Sequence, residues 1–239
     1  MKVLIITGGN IDDDFAFSFL SDKIYDEIIA VDGGLAFADR AQLVLQNFKL
    51  THLVGDFDTI ASDILEKYIH RENICVHQYV PEKDYTDTDI AVKLALKLIE
   101  SNLACDSKCS SENEKNIIHI LGGTGTRLDH VMANLQMLKN IMNAGAEGAI
   151  IDANNYIEMI CGTRKLKRLE IFGKYMSLIP ATMVLKGITL EGVKYPLKKA
   201  KLRRTHQYAV SNELTGNCAF IAVKKGGLFI VESNDGVSL

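Results

Sequence analysis

The chain has 239 residues, of which 47% are hydrophobic and 24% are charged, with three prolines and no tryptophan. This is the composition of an ordinary globular protein, which excludes the fibrous and disordered classes. The formal net charge of −3 is unevenly distributed, since residues 1–159 carry 13 basic and 25 acidic side chains and residues 160–239 carry 14 and 5.

No apolar run in the sequence is long enough to span a membrane. The first run, residues 3–6, ends at Gly8-Gly9 and is far too short for a secretory signal, so we expect a cytoplasmic protein. The five cysteines are odd in number and lack CxxC spacing, which predicts reduced thiols rather than a disulfide framework or a structural zinc site. They are Cys75, Cys105, Cys109, Cys161 and Cys218.

The first 155 residues alternate short β-rich runs with longer helical ones. This alternation predicts an α/β fold with a parallel sheet covered on both faces by helices. The predicted strands are short, rich in Val, Ile and Leu, and end at Gly, Asp or Asn; they are 2–7, 27–31, 52–54, 74–77, 117–121 and 149–151. The clearest helices are predicted over 89–100, where Lys93, Lys97 and Glu100 form a polar stripe, and over 130–144.

The helical period disappears after Cys161, and short strand-like runs separated by turns follow it. A smaller all-β domain is therefore predicted over about 160–239. Within it, residues 219–223 and 228–231 flank Lys-Lys-Gly-Gly, which predicts a β-hairpin. Between the two halves of the α/β region, the polar stretch 101–116 predicts a solvated loop.

Four polar clusters fall where predicted strands end, which is the edge at which open α/β sheets bind ligands. The first cluster is Asp32-Gly33-Gly34. Its glycines would let the backbone approach a ligand closely, and its acid could hold a ribose hydroxyl or a metal-bound water. An ordinary Asp-Gly turn explains the same residues equally well.

The second cluster, residues 55–58, places Asp56 and Asp58 one residue apart in a loop. Two carboxylates are hard oxygen ligands of the kind that Mg²⁺ bound to phosphates requires, and their mutual repulsion would be costly without a cation. An acidic turn is the alternative.

The third cluster, residues 83–89, leads into the predicted helix at 89–100. Asp and Thr are common at helix N-caps, but capping explains only one or two of these polar residues. The remainder could supply a metal ligand, an acid that activates a nucleophile, and a lysine for phosphate charge.

The fourth cluster, residues 122–130, is a glycine-rich loop between a strand and a helix. Such a loop exposes backbone N–H groups to phosphate, and Arg127 adds positive charge. The loop matches neither the Walker nor the dinucleotide-binding motif. A glycine turn with Asp129 as N-cap, and a packed His130, form the alternative interpretation. Together the four clusters predict a site for metal-dependent phosphoryl transfer from a nucleotide.

These motifs, in this order, resemble the thiamine pyrophosphokinase family: DGG at 32–34, GDFDTI at 55–60, KDYTDTDIAV at 83–92 and GGTGTRLDHVMAN at 122–134. GVKYPL at 192–197 and VSNEL at 210–214 are similar to its bacterial branch. The resemblance implies a Rossmann-like domain over 1–155 that binds ATP and Mg²⁺. It also implies a β-sandwich over 160–239 that binds thiamine and forms a homodimer with active sites between the subunits.

The implied reaction moves pyrophosphate from ATP to the hydroxyethyl oxygen of thiamine and releases AMP. By position, the resemblance implies Asp56, Asp58 and Asp87 as Mg²⁺ ligands. Asp32, Asp84 and Asp89 would complete an acidic rim, Asp84 or Asp129 would orient the hydroxyl, and Asp129 would lie where thiamine meets ATP. The residues implied to hold ATP are Gly33, Gly34, Lys83, Thr86, Asp89, Gly122, Gly123, Thr124, Gly125, Arg127 and His130. Ser211 and Asn212, contributed by the second subunit, would line the thiamine pocket.

Three other functions fit part of the pattern. A nucleotide-sugar glycosyltransferase also holds diphosphate through a metal at an Asp-Phe-Asp motif, but the acids at 83–89 would be superfluous there. A pterin pyrophosphokinase would differ only in its acceptor pocket, and a nucleotide-sensing module would leave ATP intact. The basic segment 160–210 lacks any helix-turn-helix or aromatic-interleaved pattern, so we expect no nucleic-acid partner.

Overall fold

The computed structural model describes residues 1–80, 85–105, 115–206 and 208–236. The chain divides into two compact units, Met1–Ala153 and Asn154–Leu239. The α/β class with a smaller β domain, predicted above, is confirmed.

The first unit contains a parallel sheet of six strands in the order β4-β3-β2-β1-β5-β6. The strands are β1 (Lys2–Ile6), β2 (Glu27–Val31), β3 (His52–Gly55), β4 (Cys75–Gln78), β5 (Ile117–Leu121) and β6 (Glu147–Ile151). Val3, Leu4, Ile5 and Ile6 of the central strand β1 have no exposed surface. Side chains on both of its faces are therefore buried, which explains why the strand sequence is continuously apolar rather than alternating.

Five helices belong to this unit: α1 (Asp13–Leu20), α2 (Gly34–Val44), α3 (Ser62–Ile69), α4 (Asp87–Cys105) and α5 (Leu128–Asn143). Ala91, Val92, Ala95 and Ile99 form the buried side of α4, because they recur at intervals of three and four residues. The predicted polar stripe of α4 is exposed. Among the described residues, no helix combines the length and apolarity needed to cross a bilayer.

Helix α4 is longer than predicted at both ends. Residues 101–105 were expected to begin a solvated loop, but they continue the helix. Leu103 and Ala104 are good helix formers, and the polar Ser101 and Asn102 are exposed, so nothing in this stretch ends the helix. Residues 106–114 of the predicted loop, with Cys109, lie outside the described residues, and Lys115 and Asn116 precede β5 outside any helix or strand.

The second unit contains two antiparallel groups of strands. In one, the order is β7-β13-β9, and in the other it is β11-β10-β12-β8. The strands are β7 (Asn155–Ile160), β8 (Thr163–Lys167), β9 (Tyr175–Pro180), β10 (Val184–Glu191), β11 (Leu197–Arg203), β12 (Cys218–Ala222) and β13 (Leu228–Ser233). Leu178 and Ile230 from the first group share one apolar core with Leu185 and Ile221 from the second, so the unit is a β-sandwich.

The predicted hairpin at 219–231 is wrong. β12 pairs with β10 and β8, whereas β13 pairs with β7 and β9. Ile221 and Ile230 are both fully buried in the shared core, which they enter from opposite layers of the sandwich. The turn between them therefore carries the chain from one layer to the other, because each run has an apolar face that the interior can bury only in this way.

Candidate active site

A cavity of about 590 Å³ lies at the carboxyl edge of the parallel sheet. Its walls come from the segments that follow β1, β2, β3 and β5, and from the start of α4. Because parallel strands all end at the same edge, loops far apart in sequence meet there. The predicted site residues that line the cavity are Asp32, Gly33, Asp56, Thr86, Asp87, Gly122, Gly123, Gly125, Arg127 and His130.

The other predicted site residues lie elsewhere. Gly34, Asp58, Asp89, Thr124 and Asp129 belong to the same unit but do not line the cavity. Lys83 and Asp84 lie outside the described residues, and Ser211 and Asn212 belong to the second unit.

Asp32 is held in an uncommon backbone conformation at the end of β2. Its φ is 42°, in the left-handed region, and its Oδ1 accepts a hydrogen bond from the backbone N–H of Phe57 at 3.2 Å. A Cβ atom at Gly55 would lie 1.7 Å from the same oxygen, so only glycine fits there. Phe57 itself has a φ of 67°. Such conformations persist where the surrounding structure enforces them, and they cluster at functional sites.

The carboxylates in the cavity interact strongly. Burial raises the pKa of Asp32 to about 7, and the nearby carboxyl of Asp87 adds to the rise, both by its charge and by a shared hydrogen bond. The charge of Asp56 acts in the same direction. A divalent cation would relieve this repulsion in place of the proton, and carboxylate oxygens are its preferred donors. These three residues therefore fit a metal such as Mg²⁺ chemically.

The predicted ligand Asp58 has a different environment. Its side chain is exposed, and its backbone N–H donates to Oδ1 of Asp56 at 3.3 Å. Within the described part of the chain, no three His, Cys, Asp or Glu side chains are arranged to hold a metal ion. The ligand set of Asp56, Asp58 and Asp87 therefore stays a prediction.

Three glycine-containing loops are in direct contact at this edge. A Cβ atom at Gly9 would lie 2.0 Å from the carbonyl oxygen of Gly122, and a Cβ at Gly8 would lie 3.4 Å from Gly33. Sequence reasoning missed the loop after β1, of which Thr7, Gly8 and Gly9 line the cavity. The available signal was a glycine pair directly after the first predicted strand, at the edge where the other clusters fall.

Two hydrogen bonds restrain the loop at 122–125. The Oγ1 of Thr124 donates to Oδ2 of Asp152 at 2.5 Å. Asp152 directly follows β6, so it belongs to a neighbouring strand end. The Nδ2 of the buried Asn134, on α5, donates to the carbonyl oxygen of Gly123 at 2.8 Å.

Two charged pairs lie around the cavity. Arg127 contacts Asp129, with 2.7 Å between Nη2 and Oδ2, and this raises the pKa of the arginine and lowers that of the acid. Both side chains are exposed. At the start of α4, Oγ1 of Thr86 accepts the N–H of Asp89 at 3.2 Å, as an N-cap does, while the Asp89 carboxylate lies 2.7 Å from Nζ of Lys93.

In the second unit, Ser211 and Asn212 have opposite environments. The Ser211 side chain is exposed, its φ is 56°, and its N–H donates to Oγ of Ser177 at 3.0 Å. Asn212 is 3% exposed. Its Oδ1 accepts from the backbone N–H groups of Tyr195 and Glu213, each at 3.0 Å, and its Nδ2 donates to the carbonyl oxygen of Tyr195 at 2.8 Å. Asn212 thus joins two chain segments.

Two family models match this chain. Residues 22–148 match "Thiamin pyrophosphokinase, catalytic domain", and residues 163–228 match "Thiamin pyrophosphokinase, vitamin B1 binding domain". The thiamine pyrophosphokinase of Bacillus subtilis (strain 168) is 31% identical over 182 residues, which cover 76% of this chain and 77% of that protein. Thiamin pyrophosphokinase 1 of Caenorhabditis elegans is 27% identical over 184 residues, which cover 76% of this chain and 70% of that protein.

Solved structures give the same picture. The crystal structure of thiamine pyrophosphokinase from Bacillus subtilis aligns with a TM-score of 0.80 at 26% identity, covering 99% of this chain and all of that one. The thiamin pyrophosphokinase from Geobacillus thermodenitrificans aligns with a TM-score of 0.77 at 25% identity, over the full length of both chains.

Proposed function

The chain belongs to the thiamin pyrophosphokinase family, and from this premise we propose that it transfers the pyrophosphoryl group of ATP to the hydroxyl of thiamine. The products are thiamine diphosphate and AMP. The observation that carries the proposal is the cavity at the carboxyl edge of the sheet, where glycine loops meet two carboxylates from strand ends and a third from the start of α4. The glycosyltransferase and pterin alternatives are not favoured, since both family models and both relatives point to thiamine.

The reaction is a nucleophilic displacement at the β-phosphorus of ATP. A bond forms between the thiamine hydroxyl oxygen and this phosphorus, the bond from the phosphorus to the oxygen shared with the α-phosphate breaks, and AMP leaves. The hydroxyl proton passes to solvent or to a nearby base. The guanidinium of Arg127 would offset charge on the transferred group, and backbone N–H groups of the glycine loops would bind the phosphates of ATP.

The carboxylates would hold the divalent cation that accompanies ATP, which we propose to be Mg²⁺. When bound, it would neutralise charge on the phosphate oxygens and help to orient them. Asp56 and Asp87 line the cavity and are our primary candidates as ligands. Asp58 is retained as a third candidate from the sequence. Asp32 would help to position the loop that carries Asp56, because its Oδ1 accepts the N–H of Phe57.

The acceptor side of the site is proposed from the family resemblance. Asp129 would lie where thiamine meets ATP, and Ser211 would contact thiamine from the second subunit of a homodimer. Asn212 would support this contact by fixing the backbone on either side of it, given its buried hydrogen bonds. A cytoplasmic location belongs to the same proposal.

Product analysis tests the reaction. Incubation with ATP, Mg²⁺ and thiamine should yield AMP and thiamine diphosphate in equal amounts. Formation of ADP would indicate ordinary kinase chemistry, and intact ATP would support the nucleotide-sensing alternative. Replacement of thiamine by a hydroxymethyl pterin should give no AMP.

Mixing two inactive variants tests the homodimer. Asp56→Asn impairs the ATP side, and Ser211→Trp would block the proposed acceptor side. If each active site draws on both subunits, an equal mixture of the two variants should recover up to about a quarter of the wild-type activity, because about half of the dimers are mixed and each mixed dimer has one intact site out of two. No recovery, despite subunit exchange, would contradict a shared site.

A further inference from the structure

We propose that Asp152 is a positioning residue for ATP binding, and that it acts by anchoring Thr124 at the back of the loop at 122–125. This inference rests on the proposed function, because it assigns to that loop the phosphates of ATP. It removes Thr124 from the set of direct ATP contacts implied by the sequence. It also adds Asp152, which no motif singled out.

The orientation of Thr124 carries the first step. The residue lies between Gly123 and Gly125, which both line the cavity, but it is not itself part of the lining. Its hydroxyl instead donates to Oδ2 of Asp152 at 2.5 Å. A hydroxyl has one proton to donate, so a Thr124 that is bonded to Asp152 has none left for a phosphate oxygen.

The second step is that this bond is one of two anchors on the same short loop. Asn134 holds the carbonyl oxygen of Gly123 at 2.8 Å, one residue before Thr124. The carbonyl oxygen of Gly122, at the start of the loop, contacts Gly9 in the loop after β1. Glycine-rich backbone has unusually many accessible conformations, so it presents N–H groups in a fixed array only if its surroundings restrain it.

The third step concerns the chemistry of the anchor. A hydrogen bond to a carboxylate is stronger than one between neutral groups. The carboxylate of Asp152 places a negative charge near the proposed phosphate site. This charge would weaken ATP binding unless the carboxylate contacts the loop and not the phosphates. Because Asp152 reaches the loop through the Thr124 hydroxyl, we expect its bond, rather than its charge, to matter for ATP.

Paired substitutions separate the bond from the charge. Thr124→Val and Asp152→Ala each remove the bond, whereas Thr124→Ser and Asp152→Asn keep a donor and an acceptor in place. We expect the first two variants to raise the KM for ATP about tenfold, as loss of one charge-assisted hydrogen bond would. The kcat and the KM for thiamine should stay within about twofold of wild type, because the loop contributes binding that is equal in the ground and transition states.

Non-additivity gives a second readout. If the two side chains act only through their mutual bond, the double variant Thr124→Val/Asp152→Ala should be no worse than the more impaired single variant. Thr51→Val serves as the matched control, because the Thr51 hydroxyl is also partly buried and bonded, at 3.0 Å to Ile28, but precedes β3 at the opposite edge of the sheet. It should lower the urea midpoint and leave the KM for ATP unchanged.

The proposal is overturned if Asp152→Asn is as impaired as Asp152→Ala, if the loss falls on kcat or on thiamine, or if Thr51→Val raises the KM for ATP equally. Failure of the proposed function would look different, since the wild-type protein would then form no AMP with thiamine. In that case calorimetric titration with ATP alone still tests the anchor, because the dissociation constants should follow the same order among the variants.

Discussion

The two units of the chain bring polar side chains together by different means. In the first, parallel strands end at one edge, so Gly9, Asp32, Asp56 and Gly122 converge although more than a hundred residues separate the first from the last. In the second, antiparallel strands end alternately at both edges, and Asn212 is held in place by its own buried hydrogen bonds. In the parallel sheet, the topology alone brings polar side chains from distant segments together. In the sandwich, each polar side chain has to be positioned by its own hydrogen bonds.

The units also differ in where they place closely spaced carboxyl groups. In the first unit, the acids surround a cavity that a cation can enter. In the second, Glu232 is 4% exposed beside the equally buried Glu158, whose Oε1 lies 2.9 Å from Nε of Arg164. We propose that the acids of the first unit bind a ligand, whereas we expect the buried pair of the second unit to affect only how stability changes with pH.

The largest expected effect follows from removing one cavity carboxylate. Asp56→Asn should lower kcat at least about a thousandfold at saturating Mg²⁺, because the amide cannot replace a charged metal ligand. Asp63→Asn, on the exposed first turn of α3, is the control and should retain wild-type activity. Release of AMP measures the rate, and circular dichroism reports the fold. Wild-type turnover by Asp56→Asn would exclude it as a ligand.

A methyl group between two loops should have the next largest effect on activity. Gly9→Ala places a Cβ 2.0 Å from the carbonyl oxygen of Gly122, so one loop has to move, and we expect kcat/KM for ATP to fall about a hundredfold. Gly216→Ala in the second unit meets no atom within 4 Å and should change nothing. An equal loss in both variants would show that the contact between the loops does not matter.

The second unit should carry a pH-dependent stability. Burial raises the pKa of Glu232 to about 7, from an ordinary value of 4.5, and the charge of Glu158 adds to the rise. Between these two values the unfolded chain loses its proton first, so stability should fall by about 3 kcal/mol as the pH rises from 4.5 to above 7. Urea unfolding at pH 5 and pH 8 measures the difference.

Glu232→Gln should remove this contribution, while the contribution of Asp32 through its own raised pKa remains, and it should preserve the acceptor for the N–H of Phe172, which Oε2 binds at 2.6 Å. Glu213→Gln, at a carboxylate that is 35% exposed beside Lys194, is the control and should keep the wild-type profile. A Glu232→Gln profile that falls as steeply as that of the wild type would assign this contribution to another group.

The smallest effects distinguish the two neighbouring residues of the sandwich. Asn212→Ala should destabilise the protein by about 2 kcal/mol, because three backbone groups lose their partner. Ser211→Ala should change stability by less than about 0.5 kcal/mol, since its side chain is exposed, and should instead raise the KM for thiamine. If Ser211→Ala lowers stability and Asn212→Ala raises only the KM for thiamine, the proposed roles of the two residues are wrong.

Much of the first unit could be predicted from the sequence because its signals are local. Continuous apolar runs such as 27–31 and 117–121 have the observed bounds, and Asp32, Asp56 and Gly122 follow their strands directly. Other features depend on tertiary contacts that leave no local trace. The direction of the Thr124 side chain is set by Asp152, and the assignment of β12 and β13 to different layers is set by a shared core.

The position of β13 has a consequence for synthesis. This strand, Leu228–Ser233, lies between β7 and β9, so both of its neighbours leave the ribosome tens of residues before it. The first unit can complete its sheet as soon as Ile151 has emerged. We therefore expect the first unit to become protease-resistant early in synthesis. The sandwich of the second unit should form only once residue 233 has left the exit tunnel.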